Sequence, residues 1–218
     1  MFRLLFTFKK LLIVPVLMLL VLPAQLLAHP HSWIDTTTYI NSNNTHITSL
    51  SMSWTFDQAT SDYMLQGEDI SAAALKNTLQ HLAEGIVANM YNEHYFTYLY
   101  VQATPIRYKI AHSPKLVYNQ DRNKLILTFE IPLSVPIAFN DKNFKLLIYD
   151  ATYYVDMSWK NTADVHLSTA MQKTCHGELI EPNVSQGLRD YAFTLADDVL
   201  ADDQLGERFS QKFTLSCQ

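Results

Sequence analysis

The sequence predicts an α+β domain, mainly antiparallel β-sheet or sandwich, with one long amphipathic helix and a shorter C-terminal helix. Three observations carry this expectation. Ile47 to Phe56 alternates strictly, with Leu50, Met52, Trp54 and Phe56 on one face and Ser49, Ser51, Ser53 and Thr55 on the other. That is the pattern of a half-buried strand. Other short runs rich in β-branched and aromatic residues are set apart by polar turn clusters. Only one long stretch, Ile70 to Asn92, repeats at helical spacing, through Leu75, Leu79, Leu82, Ile86 and Met90. Many short strands with one or two helices suit an antiparallel sheet or sandwich.

Taken in order, Ser32 to Ile40 is rich in Thr, Trp, Ile and Tyr and reads as a strand. Asn41 to Asn44 is a turn, so this strand and the next form an antiparallel hairpin. Asp57 to Asp69 is polar, part helix or loop. Asp69 or Ser71 can cap the long helix, and Glu68 and Asp69 suit its positive N-terminal end. Phe96 to Gln102 and Ile106 to His112 read as strands split by Pro105. Leu116 to Tyr118 and Lys124 to Leu133 flank a turn at residues 119–123. Phe144 to Trp159 and Val165 to Thr169 supply more strand. Gln186 to Leu200 reads as helix through Leu188, Tyr191, Leu195 and Val199, and Phe213 to Cys217 is a last strand.

Residues 1–28 read as a secretory signal peptide. Arg3, Lys9 and Lys10 form its positive start, Leu11 to Leu22 its apolar run, and Ala28 a small residue at the cut. The run is about 12 residues, short of the roughly 20 a spanning helix needs, and an uncleaved anchor extended to Ala28 through Pro23 and Gln25 is the second choice. Residues 29–218 then form a single exported domain, with no lipid anchor evident. Cleavage moves the formal charge from −5 to −8. An acidic exported chain is a poor candidate for nucleic-acid binding. Cys175 and Cys217 lie beyond the signal, in an oxidising compartment, and are expected to pair. The closed loop of about 43 residues would contribute roughly 4 kcal/mol in the chain-entropy model. The competing use of Cys175 is a metal pair with His176.

Cleavage after Ala28 leaves a chain beginning His29-Pro30-His31. Pro30 holds His29 extended. In a strand His29, His31, Trp33 and Asp35 share a face. The two histidines are about 6.6 Å apart at roughly 3.3 Å per residue. Two imidazoles at that spacing, joined by the α-amine, can share Zn²⁺, Ni²⁺, Co²⁺ or Cu²⁺. A square-planar site using the second amide nitrogen is excluded, because Pro30 has no N–H. Asp35 lies about 13 Å from His31 along an extended strand, so it reaches the same ion only if the chain bends. The alternative is that His31 and Trp33 simply start a strand.

Tyr149-Asp150-Ala151-Thr152-Tyr153-Tyr154-Val155-Asp156 is the second unusual run. On a strand its two carboxylates would sit about 20 Å apart, too far for paired acid–base work. Either could meet the histidines if this strand neighbours the first, and Asp at strand ends capping turns is the alternative. Trp54-Thr55-Phe56-Asp57 ends the second strand with a carboxylate near the N-terminal end, a further candidate ligand or a turn former. His166 is the only later histidine offered as a third nitrogen for a copper site. No G-x-S-x-G, H-E-x-x-H, phosphate-loop or C-x-x-C motif is present.

At these residues the chain resembles a known family. His29-Pro30-His31-Ser32-Trp33-Ile34-Asp35 is similar to that family's opening block. Trp54-Thr55-Phe56-Asp57 and residues 149–156 are similar to its two internal blocks, and Leu205-Gly206-Glu207-Arg208-Phe209 to its C-terminal one. The family is of unknown function, described as the periplasmic component of an uncharacterised ABC-type transport system. It includes Zev-type zinc accessory proteins, and its members tend to be encoded beside a nickel/cobalt-type permease. The resemblance implies a periplasmic accessory protein of a Gram-negative bacterium, working with an inner-membrane permease and not as an enzyme. The expected cargo is zinc first, then nickel or cobalt. His29 and His31 would be ligands, with Asp150, Asp156 and Asp57 completing or orienting the site beside Trp33, Asp35, Trp54 and Tyr154. Many members carry an Asp-rich segment after the Trp-Thr-Phe-Asp block, whereas here Leu65-Gln66-Gly67-Glu68-Asp69-Ile70 has fewer carboxylates. Two other expectations stay open: a copper protein or oxidative copper enzyme using the N-terminal histidine, and a metal-free module that docks on the permease.

Overall fold

The computed structural model describes residues 30–140, 142–195 and 204–218. Its elements run β1 (Ser32–Ser42), β2 (His46–Phe56), α1 (Gln58–Leu65), α2 (Leu75–Asn89), β3 (Thr97–Val101), β4 (Thr104–Pro105), β5 (His112–Asn119) and β6 (Lys124–Ala138), followed by β7 (Asn143–Ile148), β8 (Val155–Ser158), β9 (Val165–Leu167), β10 (Cys175–Ile180), α3 (Gln186–Thr194), α4 (Leu205–Phe209) and β11 (Lys212–Cys217). This is the expected α+β arrangement. The first sheet has the order β5-β6-β2-β1-β8, with β9 also on β1, and the second the order β10-β11-β7-β3-β4. Every pairing is antiparallel except those of β8 and β9 to β1.

The β1–β2 hairpin forms as its alternation dictates. The Asn43 side-chain oxygen accepts from the backbone N–H groups of Thr45 at 2.9 Å and His46 at 2.8 Å, closing the turn. The register runs from Ile34 opposite Phe56 to Ile40 opposite Leu50. One slip would turn every apolar residue outward, so burial locks this register. Leu50, Met52, Trp54 and Phe56 are buried, as expected, while Ser51, Ser53 and Thr55 are half-buried. Trp54 meets Phe129 of β6 edge-on at 4.9 Å. Leu99, Leu146, Ile148, Phe213 and Leu215 from the second sheet, with Leu79, Ala83 and Val87 from α2, join the same buried cluster.

Cys175 and Cys217 stand opposite each other on β10 and β11 and form the expected disulfide. Among the described residues no helix is long and apolar enough to cross a membrane. The leader and His29 lie outside the described residues.

Four local expectations are corrected. The long helix starts at Leu75, not Ile70, with Ala74 at its cap and no side-chain cap bond. Asp69 instead accepts from the Ser71 N–H, forming a turn ahead of the helix. Its buried stripe is Leu79, Ala83 and Val87, since Leu82 and Ile86 pack only partly. Residues 106–111 are not a continuous strand: they cross from the second sheet to the first, with a single bridge between Tyr108 and Leu133. Residues 149–154 are turns rather than strand, so Asp150 and Asp156 do not share one extended face. The C-terminal helix ends at Thr194, and Val199 lies outside the described residues.

Candidate metal centre

The start of β1 is flanked on both sides. On one side runs the parallel strand β8, with Trp33 opposite Asp156, and the His31 N–H donates to the Tyr154 carbonyl at 2.9 Å. On the other side β2 ends at Asp57, whose N–H donates to the Trp33 carbonyl at 2.9 Å. Ser32 and Ile34 point into the core and Trp33, 50 % exposed, points out, while the His31 ring just ahead of β1 is half-buried with its Nε2 shielded from solvent. Met157 is buried, so its neighbours on β8 turn the same outward way. Trp33 and Asp156 therefore share a face. The His31 ring lies against the Tyr154 ring, with centroids 4.5 Å apart.

The three candidate carboxylates differ in what already occupies them. Asp57 caps α1. One of its oxygens accepts from the Thr60 N–H at 3.0 Å; the other accepts from the Trp33 N–H at 2.9 Å and the Thr60 hydroxyl at 2.6 Å. Burial raises its carboxyl, but the bonds from Thr60, Trp33 and Ala59 together outweigh burial and hold it below the usual carboxylate range. Asp150, 8 % exposed, ties the 149–155 turns together. It accepts from the Thr152 N–H at 3.0 Å, the Thr152 hydroxyl and the Val155 N–H at 3.1 Å. Both carboxylates thus fix the strands that flank β1.

Asp156 is the contrast. Among the described residues no hydrogen bond or ion pair reaches its carboxyl, and burial pushes it up from the ordinary value. A partly desolvated carboxylate with no donor is the kind a nearby cation would stabilise. Asp35, by comparison, pairs with Lys160 at 2.9 Å, away from this cluster.

The C-terminal block closes the same corner. The Gly206 N–H donates to the Ala151 carbonyl at 2.9 Å, and a side chain at Gly206 would run into the Asp150 carbonyl. Phe209 of α4 stacks on Tyr153 with centroids 4.0 Å apart. The segments 31–35, 54–57, 149–156 and 205–209, far apart in sequence, therefore meet at one edge. His166 is not brought there. It stacks on Tyr39 at the far end of β1, eight residues from His31, or about 26 Å. Among the described residues no three of His, Cys, Asp and Glu form a group that could hold a metal.

Sequence reasoning missed the tyrosines behind this edge. Tyr149 stacks on Tyr98 at 4.2 Å. Burial, then Glu93 and Asp150, push the Tyr98 phenol up to about 12. Their spacing in the chain carried no signal, because they converge only through the β3–β7 register.

The sequence profile of a protein family described as of unknown function, DUF1007, matches residues 14–217. The chain is also similar to a Haemophilus influenzae protein described as uncharacterized. The two are 37 % identical over 194 residues, which cover 88 % of this chain and 92 % of that protein.

Proposed function

The chain belongs to the DUF1007 family of proteins of unknown function, and on that premise we propose that it is an exported accessory protein for a divalent transition metal. Zinc is the first choice and nickel or cobalt the next, with a nickel/cobalt-type inner-membrane permease as partner. The observation that supports this reading is the register of β1 and β8. It sets the Asp156 carboxyl, which among the described residues has no hydrogen bond or ion pair, on the face of Trp33, next to where the chain runs in at His31.

In this reading His29 and His31 offer imidazole nitrogen and Asp156 a carboxylate oxygen, a mixed set suited to Zn²⁺, Ni²⁺ or Co²⁺. Asp57 and Asp150 do not touch the metal; they position the strands that do. The metal is cargo, bound when the histidines are unprotonated, so uptake releases protons. The disulfide fits an oxidising compartment, and the periplasm of a Gram-negative bacterium is the one proposed.

The test is the intact mass of the protein isolated from the periplasm, under native and denaturing conditions. The reading predicts a mature chain beginning at His29, carrying one zinc-sized adduct that is lost on denaturation. Loading in the cell matters, because copper outcompetes zinc at most nitrogen sites in vitro. An uncleaved chain, or a mature chain that stays bare with metal added, overturns it.

A further inference from the structure

Beyond β4 the chain leaves the second sheet and crosses to the first, opening a fork beside β3. The Ile106 N–H still donates to the Leu99 carbonyl at 2.8 Å, but the Lys109 N–H already donates to the Pro132 carbonyl at 2.9 Å on β6. Two tyrosine hydroxyls bridge the gap where backbone partners have parted. The Tyr108 hydroxyl accepts from the Leu99 N–H at 3.0 Å, and the Tyr95 hydroxyl from the Ala111 N–H at 2.8 Å. The fork borders a half-open cavity of about 620 Å³, within the range of small-molecule sites.

Its lining has two characters. Tyr98, Tyr100 and Tyr108 bring rings to it, Tyr100 with the Lys145 ammonium 4.2 Å from its ring centre, and such rings favour a flat aromatic partner by offset or edge-on contact. Arg107 and Lys109, on either side of Tyr108, bring two cations. Among the described residues neither is in an ion pair with a carboxylate. Besides burial, Glu93, Asp150 and Glu207 raise the nearby Tyr98 phenol. A guanidinium beside an ammonium takes a carboxylate by charge-assisted hydrogen bonds.

The backbone under the cavity is a second, independent observation. His94, Tyr95 and Phe96 all have positive φ, at 52°, 56° and 51°. Three consecutive non-glycine residues in the left-handed region persist only where their surroundings over-determine them, and such strain gathers at binding sites. This turn drives Tyr95 into the core while His94 lines the opening.

We propose that this fork is a binding site for a small aromatic carboxylate, its ring among the tyrosines and its carboxylate on Arg107 and Lys109. The site is independent of the metal reading and is tested on metal-free, full mature protein. Calorimetric titration with 2-naphthoate is expected to show saturable one-to-one binding. Arg107→Gln with Lys109→Gln, both exposed positions, is expected to weaken 2-naphthoate about tenfold. The same double variant should bind the uncharged 2-naphthalenemethanol within about twofold of wild type. Tyr100→Ala is expected to weaken both ligands. Near-ultraviolet circular dichroism checks that each variant keeps its fold. No saturable binding up to roughly 10 mM, or equal 2-naphthoate affinity in the folded double variant, overturns the proposal.

Discussion

The β1–β2 hairpin and the 149–156 segment flank the same edge and are held by opposite means. The hairpin is fixed by a burial pattern: alternate residues enter the core, and the ladder follows. The 149–156 segment buries few apolar side chains and is fixed by polar bonds to one carboxylate, Asp150, and by the approach of Gly206 from 56 residues later. The difference teaches where this protein can be broken without losing the fold. Damage to the hairpin should be global, and damage to the turns should be local and should appear first at Asp156.

Four perturbations sharpen that contrast. Trp54→Ala removes a buried ring packed on Phe129 and should destabilise the whole chain by about 3–5 kcal/mol in denaturant unfolding. Opening the Cys175–Cys217 bond, by Cys→Ser at both positions, should lower stability by about 2–4 kcal/mol, read as a lower Tm. Asp150→Ala strands the Thr152 and Val155 N–H groups, a loss of about 1–3 kcal/mol. Its hydrogen exchange should quicken over 150–156 while 47–56 stays protected. If both regions loosen together, the two are not separable as argued.

The smallest effect is acid-dependent. The Asp57 carboxyl is held below its unfolded value, so its contribution is present above the ordinary aspartate value of about 3.9 and is lost as pH falls through the lower folded value. Asp57→Asn keeps the cap to Thr60 but has no charge. Its Tm should therefore fall less steeply than that of wild type below about pH 4.

Legibility followed the same division. The hairpin, its inward face and its turn could be read directly, because period-two alternation needs no distant partner. The long helix could be read, but its start could not. Asp69 looks like a cap, yet its side chain serves the turn at Ser71, and Ala83 is too small to mark the buried stripe. Tyr149 to Tyr154 has strand composition, so the sequence reads as strand. What breaks it is the Asp150 bonding and the docking of 205–209, neither of which is local. The crossing of residues 106–111 hides for the same reason: its hydrogen bonds go to tyrosine hydroxyls and to another sheet. Of the candidate site, the blocks were legible as words, but the distinction between Asp57 and Asp150 as engaged groups and Asp156 as one without a partner among the described residues needed the structure.

The most direct test of the account is a competitive zinc titration of the mature protein against a chromophoric chelator, comparing wild type with Asp156→Asn and Asp35→Asn. The account predicts that Asp156→Asn weakens zinc about tenfold or more, while Asp35→Asn, which loses only an exposed pair with Lys160, leaves it unchanged. Equal zinc affinity in wild type and Asp156→Asn would contradict it.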